Sequence, residues 1–180
     1  EEWLASHGRT WGSCSEEKGI DASPMADGGG AAAKTAAASG VDRAVLAAGE
    51  ALPAWAGLSP LKRARSLDAI AAAMKERQRL IAALASLESG RVIRLTLGAD
   101  VPAAARLFSR YANAVRRLAG RLDALAPAGV AAVILGSGAS LMALAQLTAP
   151  ALAAGCTVVV QAGPGLSLTA QAFAEVCRDA

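Results

Sequence analysis

The residues of this 180-residue chain whose types and spacing could do chemistry are mostly glycines. Gly136-Ser137-Gly138-Ala139-Ser140-Leu141 follows an apolar run and precedes a helical pattern. A glycine-rich loop in that place lets a pyrophosphate approach backbone N–H groups at a helix N-terminus. Here Leu141 replaces the third glycine, and Gln161 stands where an acid would end the second strand and grip a ribose. That leaves no carboxylate to hold a ribose, and the competing reading is a plain strand–helix turn. The carboxylates Asp68, Glu76 and Glu88 fall on predicted helices, none of them evidently forced into an apolar pocket that would raise its pKa. Cys14, Cys156 and Cys177 lack metal-ligand spacing, and the only histidine is His7, so no metal site is expected. The same scarcity excludes Ser-His-Asp and Cys-His catalysis from the part expected to fold. Cys156, at the start of a buried strand with no base nearby, reads as an inert core thiol.

The elements that must position this loop can be read from periodicity. Residues 1–40, with Asp27-Gly28-Gly29-Gly30 and an Ala/Ser/Gly tract, lack a periodic apolar face and are expected to be largely loop or disordered. Val41, Val45, Ala48 and Leu52 recur at helical spacing before Pro53. Ser59-Pro60 looks like an N-cap with proline at the first helical position. Leu67, Ile70 and Met74, then Leu80, Leu84 and Leu87, predict one face of a long helix broken around Gln78 and stopped by Gly90. Asp100 is expected to cap the next helix, whose stripe of Ala104, Phe108, Tyr111, Val115 and Leu118 ends at Gly120. After Pro127 the period changes. Residues 130–135 read as a buried strand, 140–154 as a helix bent near Pro150 and stopped by Gly155, and 157–160 as a second, β-branched strand. Gly163-Pro164-Gly165 makes a turn before a helix from Ser167 to Cys177. Strand, helix and parallel strand in this order predict a βαβ crossover. The fold class is therefore α/β, an N-terminal helical segment (41–127) leading into the first βαβ(α) of an incomplete Rossmann-like nucleotide-binding domain (128–180).

Composition narrows the setting. Apolar residues make up 54% but aromatics only 3%, so the apolar weight is mostly alanine and buries little surface per residue. The net charge of +3 comes from scattered Arg and Lys, densest at Lys62-Arg63-Ala64-Arg65 and Arg116-Arg117. Without a basic stripe interleaved with aromatics, these read as solvated helix faces, and no nucleic-acid partner is expected. The uncharged stretch from Ala124 to Ala174 is long enough for a membrane span, but prolines and glycines cut it into short pieces, so no membrane partner is expected either. The chain opens Glu1-Glu2-Trp3 with no basic-plus-apolar leader and no initial Met. The expectation is part of a larger chain, or a homo-oligomer, in a reducing cytoplasm.

Three stretches together resemble the aldehyde dehydrogenase superfamily over residues 41–180. The first runs from Val41-Asp42-Arg43-Ala44-Val45 through Ala54-Trp55 and Ser59-Pro60 to Arg65, and the second is Leu87-Glu88-Ser89-Gly90-Arg91. The third is Pro127-Ala128-Gly129-Val130 with Ala149-Pro150-Ala151-Leu152-Ala153-Ala154-Gly155-Cys156-Thr157-Val158-Val159, similar to the PxGV … APALAAGNTVV segment that starts the family's coenzyme domain. Glu2-Trp3-Leu4, Gly8 to Gly12, Gly90 to Arg94 and Asp100-Val101-Pro102 further resemble the N-terminal half of the tandem-domain family-sixteen branch, some of whose members have lost their catalytic apparatus.

The resemblance implies NAD(P)-dependent oxidation of aldehydes to acids, with NAD or NADP as coenzyme. It also implies that the family's nucleophilic cysteine and general-base glutamate lie beyond Ala180 in chain order, so no catalytic residue is assigned here. The family's PWN motif falls on Gly136-Ser137-Gly138, which puts Gly138 where an asparagine would help hold an oxyanion. Losing such a donor typically costs about a hundredfold or more in rate. The KPxE motif falls on Gln161-Ala162-Gly163-Pro164, so the lysine and glutamate that would bind the adenosine ribose are missing. By these altered motifs the resemblance leaves Ser137 and Gln161 as the candidate cofactor-binding residues, and coenzyme binding is expected to be weak or absent. The arm that usually supplies oligomerising strands is contracted to little more than 121–126. The expected function is thus an aldehyde dehydrogenase-like N-terminal segment, a pseudoenzyme fragment inactive as this chain. The alternative is a small alanine-rich helical interaction or membrane-associated module.

Overall fold

The computed structural model describes residues 38–122 and 125–180. The Gly-rich tract and the Glu2–Gly12 motif lie outside those residues. The described chain runs through α1 (Ala38–Ala56), α2 (Pro60–Glu76), α3 (Gln78–Ser89), a single turn α4 (Ile93–Leu95), a π-helical turn (Thr96–Asp100), α5 (Val101–Arg117), α6 (Ala119–Leu122), β1 (Val130–Ile134), α7 (Leu141–Ala153), β2 (Thr157–Gln161) and α8 (Ser167–Asp179). The two strands pair in parallel, Val130 opposite Thr157 through Ile134 opposite Gln161. This is the expected α/β order, a helical part entering a βαβα unit that forms only the start of a nucleotide-binding sheet.

Local signals account for the ends of several elements. Pro60 occupies the first helical position of α2, although the Ser59 side chain makes no cap bond and its carbonyl accepts from Lys62 and Arg63 instead. The long helix breaks at Arg77, and Gly90 closes α3 in the left-handed conformation at φ 68°. Ser140 caps α7, its hydroxyl accepting from the Ala143 N–H at 3.3 Å, and Gly155 (φ 92°) follows the helix. Pro53 lies inside α1 rather than after it. A proline in the last turn removes only one backbone bond, so the helix reaches Ala56. Asp100 does not cap α5: the π-helical turn runs into that helix without interruption, and the Asp100 carboxylate pairs with Arg91. Nor does Gly120 end α5, which stops at Arg117, with Gly120 inside α6.

One buried cluster joins the helical part to the βαβα part. It includes Leu67, Met74, Ile81, Val101 and Phe108 on one side and Leu141, Leu144, Leu152, Phe173 and Val176 on the other. Both phenylalanines of the chain meet at its centre, their rings 5.6 Å apart and inclined by 38°. Such pairs add about 0.5–1.5 kcal/mol beyond the area they bury.

Three expectations about faces are corrected. On α1 the buried apolar side chains are Ala44, Ala48 and Ala51, whereas Val41 and Val45 are 42% and 43% exposed. The reason is a close approach: Thr157 Oγ1 donates to the Ala48 carbonyl at 2.9 Å, and a branched side chain there would hold α1 off β2. On α3 the core takes Ile81, Ala82 and Ala85, leaving Leu80 and Leu87 exposed. On α5 the stripe holds at Ala104, Phe108 and Val115, but Leu118 is exposed. Strand β1 is also less buried than a fully covered parallel strand. Val133 is buried, but Ile134 is 73% exposed, because only β2 flanks it among the described residues.

If the alanine face of α1 sets its distance from the sheet, Ala48→Leu lowers unfolding stability by about 1–3 kcal/mol through overpacking. Val45→Ala, on the side facing water, stays within about 0.5 kcal/mol. Urea denaturation followed by circular dichroism measures both, and equal effects would remove the close-approach account.

Candidate functional site

The loops at the C-terminal ends of the two parallel strands are where open α/β sheets bind ligands. Beyond the last strand pair the ladder takes one more bond, from Leu135 N–H to the Gln161 carbonyl at 2.9 Å. Gly163 then passes against the first loop. A Cβ on it would lie 2.6 Å from the Leu135 oxygen and 2.8 Å from the Gly136 carbonyl carbon. The mouth is therefore closed by backbone against backbone, and only glycine permits it. Gly138 takes φ 80°, and Gly165 takes φ 83° in the turn that enters α8.

The second loop is held from the far side by Glu88. Its carboxylate accepts from the Leu168 N–H at 2.6 Å, the Thr169 N–H at 2.8 Å and the Thr169 hydroxyl at 2.6 Å. A carboxylate at the start of a helix satisfies N–H groups that have no intrahelical partner and suits the positive end of the helix dipole. Glu88 thus fastens the end of α3 to the start of α8 across 80 residues of chain. Residue types alone did not single it out for this role; the Leu87-Glu88-Ser89-Gly90-Arg91 stretch carried a resemblance, but the partner lay far away in sequence.

Between these loops and the α3–α5 corner lies an open pocket of about 290 Å³. Ala85, Ser89, Arg91, Thr96 and Asp100 line one side, and Gly138 to Leu141 with Gly165, Leu166 and Thr169 line the other. Its charged groups, Arg91 and Asp100, pair with each other. Thr96 is spent on the backbone, donating to the Ala82 carbonyl at 3.0 Å. Of the residues singled out from the sequence, Gly138 borders this pocket, while Ser137 and Gln161 are exposed and do not line it. Pro164 is exposed as well.

Other groups with chemical potential are committed to structure. Cys156 is buried at the start of β2. Burial also pushes the Cys177 thiol above its ordinary value, because a thiolate loses its hydration there. Arg63, expected on a solvated face, is instead 4% exposed. Its Nη1 donates to the carbonyls of Leu58 at 2.9 Å and Ala56 at 3.3 Å, and it lies beneath Gly155, where a Cβ would come within 3.2 Å of it. Among the described residues no group of three or more His, Cys, Asp or Glu side chains is arranged to hold a metal.

Two substitutions test this geometry. Glu88→Ala strands the first N–H groups of α8 and lowers stability by about 1–3 kcal/mol, with Glu88→Gln falling between it and the parent. Gly163→Ala pushes the two loops apart, and hydrogen exchange at the Leu135 amide rises by about tenfold or more, an opening of roughly 1.4 kcal/mol. Unchanged protection at Leu135 would show that the loops do not bear on each other.

The comparisons with known proteins agree with this architecture. The family model described as the aldehyde dehydrogenase family matches residues 11–180. Cytosolic 10-formyltetrahydrofolate dehydrogenase of Xenopus laevis is 33% identical over 154 residues, which are 77% of this chain and 17% of that protein. A probable aldehyde dehydrogenase of Streptomyces coelicolor is 37% identical over 131 residues, 67% of this chain and 26% of that one. Among solved structures, a mutant of aldehyde dehydrogenase C from Pseudomonas syringae, in complex with NAD+ and octanal, superposes with a TM-score of 0.67 at 32% identity, covering 78% of this chain and 30% of that one. The chain therefore spans about a quarter or less of the curated relatives' length. A shared fold, the matched strand–helix–strand segment and a family match over nearly the whole sequence make this chain a member of the aldehyde dehydrogenase family, corresponding to its N-terminal part.

Proposed function

We propose that this chain is an aldehyde dehydrogenase N-terminal segment that does not oxidise aldehydes by itself and holds NAD or NADP weakly or not at all. Residues 41–127 form its helical part and 128–180 the start of its coenzyme-binding domain. The observation that carries the reading is the chemistry of the strand mouth. Where the family places a lysine and a glutamate for the adenosine ribose, this chain has Gln161 and Pro164, both exposed. The charged pair beside Gly138, Arg91 with Asp100, is internally neutralised. The donor set does not fit a dinucleotide, and no catalytic step is derived through one. Gly138 also supplies no side-chain donor for an oxyanion, and among the described residues the two cysteines are buried or shifted away from thiolate.

The segment would act within a larger dehydrogenase chain or as a partner of one, in line with relatives several times its length. Free Cys156 and Cys177 suit a reducing cytoplasm. The family match over residues 11–180 favours this reading over a small helical interaction or membrane-associated module, and no helix among the described residues is long and apolar enough to cross a membrane.

Isothermal titration of the chain with NAD and NADP tests the proposal. The expected result is no saturable binding at micromolar coenzyme and no aldehyde-dependent rise in NADH absorbance. Introducing Gln161→Lys with Pro164→Glu, which returns a cation and a carboxylate to the mouth, is expected to strengthen coenzyme binding by about tenfold, as two new charge-assisted contacts allow. Saturable micromolar binding by the unsubstituted chain would falsify the reading.

A further inference from the structure

Helices α5 and α6 carry five arginines, Arg106, Arg110, Arg116, Arg117 and Arg121, and no carboxylate. With about 100° between successive helical residues, Arg106, Arg110 and Arg117 fall within about 40° of one another and span roughly 16 Å of axis. They lie opposite the buried face of Ala104, Phe108, Ala112 and Val115 and are all exposed.

Their surroundings leave them unmatched. Arg116 pairs with Asp68 of α2, but Arg106, Arg110, Arg117 and Arg121 have no ion-pair partner among the described residues. Of the carboxylates on elements packed against α5, Asp100 is held by Arg91 and Glu88 by the start of α8, while Glu76 makes no ion pair. The other flanking helix, α7, has no charged residue at all. Like charges at i, i+4 repel, as Arg106 with Arg110 do, so the row works against the helix that carries it. The C-terminal dipole offsets this for Arg117 but not for Arg106 and Arg110.

We infer that the outer face of α5 is a docking surface for an acidic helical segment of a partner protein. Arginine forks match carboxylates bidentately, and positions i, i+4 and i+11 present them in a straight row that a second helix with Glu or Asp at the same spacing complements. The Arg116–Asp68 contact already forms this pairing between α5 and a neighbouring helix. A nucleic-acid strand is the less suitable occupant, because no exposed aromatic accompanies the row: Tyr111 is half-buried and packs on the core. The inference stands apart from the coenzyme reading.

Fluorescence anisotropy of the full chain against a labelled helical peptide with Glu at i, i+4, i+7 and i+11, and against its scrambled counterpart, is the test. Binding of the patterned peptide is expected on the order of tens of micromolar at low salt, weakening about fivefold between about 50 and about 200 mM salt as the charges are screened. The triple variant Arg106→Glu, Arg110→Glu, Arg117→Glu is expected to lose about tenfold or more in affinity, while the Lys versions of the three retain it to within about threefold. Should the triple variant lose its helical circular dichroism, Arg110→Glu alone decides, with a loss of about threefold expected. Equal binding of the scrambled peptide, absence of binding, or binding that survives charge reversal overturns the inference. So does tighter binding to a single-stranded oligonucleotide or to phosphatidylserine vesicles, which would assign the row to phosphate.

Discussion

An alanine-rich chain buries little area per residue, so its elements hold together only if their backbones come close. That constraint governs most of this fold. Helix α1 reaches β2 through Ala44, Ala48 and Ala51, near enough for Thr157 to donate to the Ala48 carbonyl. Trp55 adds a second tie from the same helix, its indole N–H donating to the Leu152 carbonyl at 3.2 Å. The strand mouth closes because Gly163 has no Cβ to strike Leu135 and Gly136, and Gly155 leaves room for the Arg63 guanidinium beneath it. Larger side chains are concentrated in one central cluster, where Phe108 and Phe173 meet. Dispersion and hydrogen bonding at short range thus do what bulky apolar surface does elsewhere.

The same economy shapes the polar interactions. Glu88 and Arg63 are ionisable groups removed from open solvent, and each is spent on backbone: Glu88 on the N–H groups that start α8, Arg63 on carbonyls near the end of α1. Glu88 bridges two backbone segments distant in sequence and fixes their relative position more narrowly than apolar contact, because hydrogen bonds are directional. The loops around the 290 Å³ pocket are held in this way by Glu88 and by Gly163 together. The backbone of the strand mouth is thereby held in place from two sides.

What lies at the rim of the fold is equally informative. Ile134 is largely exposed at the end of β1, as suits a two-stranded start of a larger parallel sheet. Helix α5 keeps a row of arginines against local repulsion, flanked on one side by a helix without charge. Both are surfaces whose energetics are incomplete within the described residues.

By itself the sequence determined the local chemistry. The apolar run after Pro127 and the β-branched run from Thr157 marked β1 and β2, and Gly90, Gly155 and Gly165 marked stops and turns, because helix ends and left-handed backbone depend on residues a few positions apart. The family, too, was legible in three contiguous motifs. Only the tertiary structure decided which face of each helix is buried, since Val45 and Leu87 outrank Ala48 and Ala85 in hydrophobicity, yet the alanines are the buried ones, Ala48 where α1 comes within hydrogen-bond reach of β2. Likewise, Glu88 looked like an ordinary surface charge until a segment 81 residues away supplied its partner, while Arg63 and Asp100 find theirs within nine residues through turns whose shape only the packed chain sets. Such roles belong to pairs of positions that the fold brings together, and no local pattern encodes the second member.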